Sequence, residues 1–406
     1  SSSPSKPAQA ITSAAGVLAT RGARRFILPN PRPSAAGRAV VARVALAARV
    51  CVPPPVTGTI PDRAPGAQPA PADAAEGLER YAPLVDDVDA FLAACERPLP
   101  RVAWANPLRG DPEVTARRIL ARCPEATPVP WWPHAYRLPD GVMPGNWLEF
   151  MLGLIHVQEE ATLWPAALVG AAPGDRVLDL CAAPGNKTAL VAAQMGDRGL
   201  LVANEKNRGR LSQLRFNLER LGVTCAAVSN VDGRRLPAGA PRDFDHALVD
   251  APCSCEGTTR KLRRRAAPAD GQGGEDTAPA EVREARTPTR PTRPRRSAET
   301  TPGFRKAIQA IQIGLLRKAI ARVRPGGTVI YATCTYAPEE NERVLHAIDP
   351  AVAAIEPLTA PPGAPLAPGV RSWGGVEFRS DVVHAARFWP HHHDTGGFFV
   401  ARLRVL

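Results

Sequence analysis

No run of eighteen apolar residues occurs in the 406-residue sequence. A membrane-spanning helix, which needs about 20, is therefore not expected. The nearest stretch, residues 35–52, is broken by Arg38, Arg43 and Arg49. Cysteine is present but not arrayed. Eight residues are scattered along the chain, which excludes the disulfide framework of a small secreted domain and makes a reducing compartment the default. Acidic residues are missing from the first 61 positions, which carry Lys6 and seven arginines. Large apolar residues are nearly missing from Arg263 to Pro302, where nine arginines face six acids. That composition predicts a solvated, disordered insertion over 263–303. Eleven of the twelve net positive charges lie in these two segments. Bulk basicity is then no argument that the remainder binds a polyanion, and any such surface must come from local clustering.

What is present is enough for a core, since 44% of residues are hydrophobic, and a wholly disordered chain is excluded. The Ser-, Ala-, Arg- and Pro-rich start has the composition of a chloroplast or mitochondrial transit peptide, and equally of low-complexity sequence from a biased genome. It holds a helix candidate at Ala36–Arg49, and residues 1–77 are set outside the fold. From Leu78 to Cys95 apolar residues recur at helical spacing, and Glu113–Arg122 reads as a second helix. These open a small domain over 78–170. After it come five short β-rich runs: Arg176–Leu180, Leu200–Glu205, Ala226–Asn230, His246–Asp250 and Thr328–Thr333. Amphipathic segments separate them, among them Leu211, Leu214, Leu218 and Leu221, and a helix at Phe304–Val323 followed by a Gly326-Gly327 turn. Strands alternating with helices predict a doubly wound parallel α/β sheet over 171–406. Such sheets bind ligands at the carboxyl ends of their strands.

The loop after the first strand reads DLCAAPGNKT from Asp179 to Thr188. Its small residues let backbone amides and a helix N-terminus face a ligand. Glu205 ends the next strand, where a carboxylate accepts both ribose hydroxyls of a nucleoside cofactor or simply starts a helix. Asp232, after the third strand, has the same two readings, as ligand or as turn cap.

The fourth strand runs into Asp250-Ala251-Pro252-Cys253 and the fifth into Thr333-Cys334-Thr335. One such cysteine would be a packing residue, but two at adjacent strand ends should share a cleft with the Asp179 loop. A thiol pair suits one reaction in particular. Carbon 5 of a pyrimidine attacks a methyl sulfonium only after a thiolate has added at carbon 6. The carbon 5 proton must then leave and the thiolate must be expelled, which gives the second cysteine a role. Asp250 is placed to hydrogen-bond the ring.

These residues resemble the Sun/NOL/NOP (RsmB/RsmF-like) class of S-adenosylmethionine-dependent RNA cytosine-5 methyltransferases. The resemblance covers Leu78 to Leu406 apart from the insertion, through VAWANPLRG, IHVQEEATLWPAALV, DLCAAPGNKT, ANEKNRGRL, DAPCSCEGTTRK, LRKAIARVRPGGTVIYATCTYAPEENE and RFWPHHHDTGGFFVARL. It implies a Rossmann-like class I methyltransferase domain preceded by a small α/β RNA-binding domain. It implies Cys334 as nucleophile, Cys253 as the residue assisting release, and Asp250 positioning the base with Lys187 close by. S-adenosylmethionine would be held by Cys181, Ala182, Ala183, Pro184, Gly185, Asn186 and Lys187, with Glu205, Asp232 and Asp250. Arg260 and Lys261 would contact RNA. The expected product is 5-methylcytosine in structured RNA, ribosomal ahead of transfer RNA, made by a monomer that contacts no membrane.

Three positions depart from the family pattern: Asn186 and Cys255 where glycine is usual, and Trp104 where arginine often precedes the asparagine. Asn186 is expected to tolerate left-handed backbone, and Cys255 to pack. His391, His392 and His393 are contiguous and on a strand could not converge, so no metal is expected. The rival readings are a catalytically weak RNA-binding ribosome-assembly factor, motivated by these departures, and a methyltransferase acting on protein or adenine, which leaves the two cysteines unexplained.

Overall fold

The computed structural model describes residues 77–237, 239, 242–261, 302–359 and 366–406. The N-terminal segment, with its helix candidate, and nearly all of the expected insertion lie outside the described residues. Among those described, no helix is long and apolar enough to cross a membrane.

The helical spacing after Leu78 becomes two pieces, a 3-10 helix at Leu78–Leu84 and helix α1 at Val88–Glu96. Pro83 cannot continue a helix, and Asp87 restarts one by accepting the Ala90 amide at 2.8 Å. Strand β1 (Arg101–Ala105), helix α2 (Pro112–Arg122) and strands β2 (Thr127–Pro128), β3 (Ala135–Leu138) and β4 (Ile155–Gln158) follow. The four strands form an antiparallel sheet in the order β2-β3-β1-β4. The one-turn helix α3 (Leu148–Met151) precedes β4, and α4 (Trp164–Val169) comes after it.

Strands β5 (Arg176–Asp179), β6 (Leu200–Asn204), β7 (Ala226–Ser229), β8 (Phe244–Asp250) and β9 (Val323–Thr333) match the five expected runs. The intervening helices are α5 (Asn186–Gln194), α6 (Arg208–Leu221) and α7 (Pro302–Ile320). Helix α8 (Glu342–His346), strands β10 (Ala353–Glu356), β11 (Ala367–Pro368), β12 (Ser372–Trp373), β13 (Val376–Glu377) and β14 (Ala386–Phe388), helix α9 (Pro390–His393) and strand β15 (Phe398–Val405) follow. The large sheet runs β11-β14-β15-β9-β8-β5-β6-β7, and β10 also pairs with β15. Strands β5 to β9 are parallel, and β15 closes antiparallel on β9. This is a doubly wound, Rossmann-like sheet. Its winding reverses between β5 and β8, which places the switch point at the ends of those two strands.

Alternate residues of the central strands go to opposite faces. Ala247, Val249, Val329 and Tyr331 pack with Leu315 and Ala319 of α7, while Leu248, Ile330 and Ala332 pack with Trp164 of α4 and Leu190 of α5. Burial on both faces explains why these strands read as near-continuous apolar runs. Helix α4, on the N-terminal side of the expected boundary at 170, thus belongs to the packing of the large sheet. The start of the described chain forms a smaller cluster beside it, in which Tyr81 tilts against Tyr336 and Phe91 meets Tyr336 and Trp389 edge-on. Strand β9 begins five residues earlier than expected. Val323 pairs with Phe244 and Thr328 with His246, so residues 324–327, with the Gly326-Gly327 turn, bulge out opposite Asp245 inside the strand.

The Arg387–Glu342 pair anchors β14 to α8, with Nε to Oε1 at 2.7 Å and both side chains buried. Glu342→Gln removes the negative partner of an enclosed guanidinium. The expected cost is about 3–5 kcal/mol, measured as a lowered urea midpoint.

Candidate active site

Strand β5 delivers its carboxyl end into the loop Leu180–Gly185, and α5 begins at Asn186. The left-handed position is Gly185, at φ 102°, where a Cβ would come within 3.1 Å of Leu214 Cδ1. Asn186 is the first helical residue, which corrects the expectation that it would carry the left-handed backbone. That role falls to glycine because the turn into α5 is completed one residue earlier.

Asp179 lies under the loop, accepting from Thr188 Oγ1 at 2.7 Å and from the Cys181 amide at 3.3 Å. Burial raises its carboxyl to about 7. From about pH 4 to about 7 the folded state keeps a proton that the unfolded chain has released, so this group's contribution to stability falls as pH rises and is level above that. Asp179→Asn is expected to flatten this slope, which urea unfolding at about pH 5 and about pH 7.5 will show. Burial likewise pushes the Cys181 thiol up.

At the end of β6, Glu205 accepts from the Asn207 amide at 2.7 Å and lies 3.5 Å from Arg210. Asp232 caps the turn 233–235 and meets Arg234 at 2.6 Å and Lys206 at 2.9 Å. The hydrogen bond from Arg234 is foremost in holding its carboxyl below the usual range. Both carboxylates border the switch-point cleft on the edge opposite β9.

On its other side lie the ends of β8 and β9, which are neighbours in the sheet. Lys187 Nζ is 2.7 Å from Asp250 Oδ2 and 5.6 Å from the Phe398 ring centroid. Cys253 Sγ lies 3.2 Å from Cys334 Sγ and 3.9 Å from Cys255 Sγ. The hydrogen bond from Cys253 lowers the pKa of Cys334, but the Cys255 contact and burial outweigh it and push that thiol up to about 12. Cys253 rises as well, chiefly through its bonds to Cys255 and Cys334. Lys261 pulls the other way on Cys334. Its ammonium pairs with Glu159 at 2.7 Å, and Glu159, Cys334 and Asp250 together raise its pKa against burial.

The PEENE segment holds the two cysteine loops in register. Glu340 accepts from the Ser254 amide at 3.0 Å and from Gln312 at 2.9 Å. Asn341 takes the Thr333 hydroxyl at 2.6 Å and donates to Thr335 O at 3.0 Å. The Gly257 amide bonds Cys334 O at 3.0 Å, and a Cβ there would sit 2.2 Å from Gly397 O, so only glycine lets the loops close. These bracing roles were not legible beforehand. The clustered acids after the TC cysteine were the available signal.

Three further placements depart from expectation. Arg260 does not face RNA. It is fully buried and donates to Arg97 O, Pro98 O, Thr395 O and Asp394 at 2.6–3.0 Å. A guanidinium with five donors suits tying three loops together as well as it suits phosphate. Cys255 does not pack. It is exposed and left-handed at φ 59°, where the backbone favours the glycine usual in the family. The three histidines sit on the one-turn helix α9, not a strand, and His391 and His392 both reach Asp86 Oδ1 at 2.9 Å. Trp104, the remaining departure, is buried edge-on against His156.

Comparison with known proteins gives the same outline. The family model for 16S rRNA methyltransferase RsmB/F matches residues 166–270 and 293–404. Ribosomal RNA small subunit methyltransferase F of Vibrio parahaemolyticus is 32% identical over 334 residues, covering 81% of this chain and 62% of that protein. Its counterpart in Pectobacterium atrosepticum is 30% identical over 344 residues, with 82% and 62% covered. The chain thus spans about 62% of the length of these curated relatives. Among solved structures, a methyltransferase homolog protein from Pyrococcus horikoshii is 28% identical, with 78% of this chain and 90% of that chain covered at a TM-score of 0.63. NSun6 from Pyrococcus horikoshii, solved with SFG, is 18% identical at a TM-score of 0.60, with 80% and 97% covered, and shares the fold.

Proposed function

The chain belongs to the RsmB/F family of 16S rRNA methyltransferases, and from that membership we propose that it transfers the methyl group of S-adenosylmethionine to carbon 5 of a cytosine in structured RNA, with ribosomal RNA ahead of transfer RNA. The observation that carries the reading is the pair of thiols 3.2 Å apart at adjacent strand ends, beside the Lys187–Asp250 pair.

The donor set at the cleft fits the cofactor. Ala182, Ala183 and Gly185 leave the backbone approachable, Glu205 offers an acceptor for ribose hydroxyls, and Asp232 and Asp250 offer acceptors on either side. When bound, S-adenosylmethionine supplies an electrophilic methyl sulfonium. The chain's own residues do the remaining work. Asp250 accepts from the cytosine amino group and, with Lys187, fixes the ring plane. Cys334 Sγ, as thiolate, adds to carbon 6, and carbon 5 becomes nucleophilic as the ring double bond is lost. After methylation Cys253 Sγ, itself as thiolate, takes the carbon 5 proton, the double bond re-forms and the C–S bond breaks, so that Cys334 leaves as thiolate. Lys261 favours the thiolate through its charge.

Bisulfite sequencing of RNA from cells with and without the protein tests the reading. A cytosine protected only when the protein is present identifies base and RNA together. No change at any cytosine, with active protein present, would overturn the assignment.

A further inference from the structure

Cys255 has no part in the reaction above, yet it completes a three-thiol group whose sulfur atoms all lie within 4.8 Å of one another. We propose that Cys253, Cys255 and Cys334 form a binding site for one thiophilic divalent cation, Zn2+ or Cd2+, and that its occupancy holds the site inactive. The inhibition rests on the methyl-transfer reading, whereas the binding does not.

A tetrahedral ion with metal–sulfur bonds of about 2.3 Å separates its sulfurs by about 3.8 Å. Cys255 Sγ already stands 3.9 Å from Cys253 Sγ, and the Cys253–Cys334 separation of 3.2 Å has only to widen slightly. The exposed side of Cys255 leaves the fourth position open to water. Charge is compatible too. Three thiolates around a divalent ion carry one net negative charge, and the Lys261 ammonium already interacts with Cys334. Lys187 and Lys261 are each paired with a carboxylate, which limits their repulsion of a cation. On binding, three sulfur–metal bonds form and the three thiol protons pass to solvent. Sulfur is the donor that selects Zn2+ and Cd2+ over harder ions. With both Cys334 and Cys253 bonded to metal, neither adds to carbon 6 nor takes the carbon 5 proton. Among the described residues no other three thiols come together.

The test is a Cd2+ titration of the full chain, reduced by a non-thiol reductant, followed by thiolate-to-cadmium ultraviolet absorption and by competition with a chelator. Wild type is expected to saturate at one ion per chain. Cys255→Gly suits the left-handed backbone, so it removes the thiol without strain. It should lower the absorption per ion by about a third and the affinity by at least about 100-fold, because a direct ligand is lost, whereas loss of an outer-shell partner typically costs about 10- to 100-fold. Cys255→Ser, which keeps the side-chain size, should do the same. No charge-transfer band at one equivalent in wild type, or wild-type affinity in both variants, overturns the proposal. In parallel, Zn2+ should arrest methyl transfer, a chelator should restore it, and Cys255→Gly should need at least about 100-fold more Zn2+ for the same arrest. Equal Zn2+ sensitivity of wild type and variant overturns the inhibitory role. A protein without methyl transfer defeats the enzymatic reading and leaves the Cd2+ result to decide the site.

Discussion

Cys334→Ala is expected to lower methyl transfer by about 10,000-fold or more, the scale seen when a covalent catalyst loses its nucleophile. The reason is chemical rather than architectural. Carbon 5 of cytosine lacks the electron density to attack a methyl sulfonium, and only addition at carbon 6 supplies it. The Cys334 thiol stands at the end of β9 with its backbone carbonyl held by the Gly257 amide at 3.0 Å. The hydrogen bonds through Thr333, Thr335 and Asn341 do not involve its sulfur. Removing the thiol therefore leaves the loop intact, and cofactor binding by calorimetry should be unchanged. Single-turnover transfer of labelled methyl to RNA measures the loss. Activity near wild type would show that carbon 5 is not the methylated atom, or that another thiol adds. Because burial and the Cys255 contact hold this thiol up at about 12, the single-turnover rate of the wild-type protein should rise with pH across the neutral range, following the thiolate fraction.

Cys253→Ala should have the opposite signature. The thiolate of Cys334 still adds and methyl transfer still occurs, but the group that takes the carbon 5 proton is gone. Product release stalls, and a covalent protein–RNA adduct accumulates. Denaturing gel electrophoresis would show the retarded band, and the double variant with Cys334→Ala should lack it. If Cys253→Ala turned over freely with no adduct, proton removal would belong to another base. The loop itself should persist in this variant, since Ser254 is bound to Glu340 and Thr335, and Gln312 donates to Pro252 O.

The five strand runs, their doubly wound parallel class and the meeting of the β5, β8 and β9 ends at one cleft were readable from residue order, whereas the order of strands across the sheet was not. Short apolar runs separated by amphipathic helices predict parallel crossovers, and these are right-handed. Once that winding is set, Asp179, Asp250, Cys253 and Cys334 are delivered to one edge whatever the loops do. Helical spacing ran unbroken from Leu78 to Cys95, and the structure divides it after Leu84, with Asp87 capping the second piece.

What residue order could not convey was the partner each polar side chain finds across the chain. Arg260 reads as an RNA contact until its donors are seen to meet Arg97 and Pro98, some 163 and 162 positions away. Glu340 reads as one acid among several until Ser254 and Gln312 converge on it. The contiguous histidines cannot converge on a strand, but a single helical turn aims two of them at Asp86, and Cys255, expected to pack, holds an exposed thiol beside two others. Backbone periodicity is set by neighbours a few residues apart, so the chain itself determined the sheet and the edge where chemistry gathers. Burial and pairing of polar groups depend on contacts between distant segments, so only the folded molecule decided which charges brace the loops, which remain at the cleft, and how close the sulfurs lie.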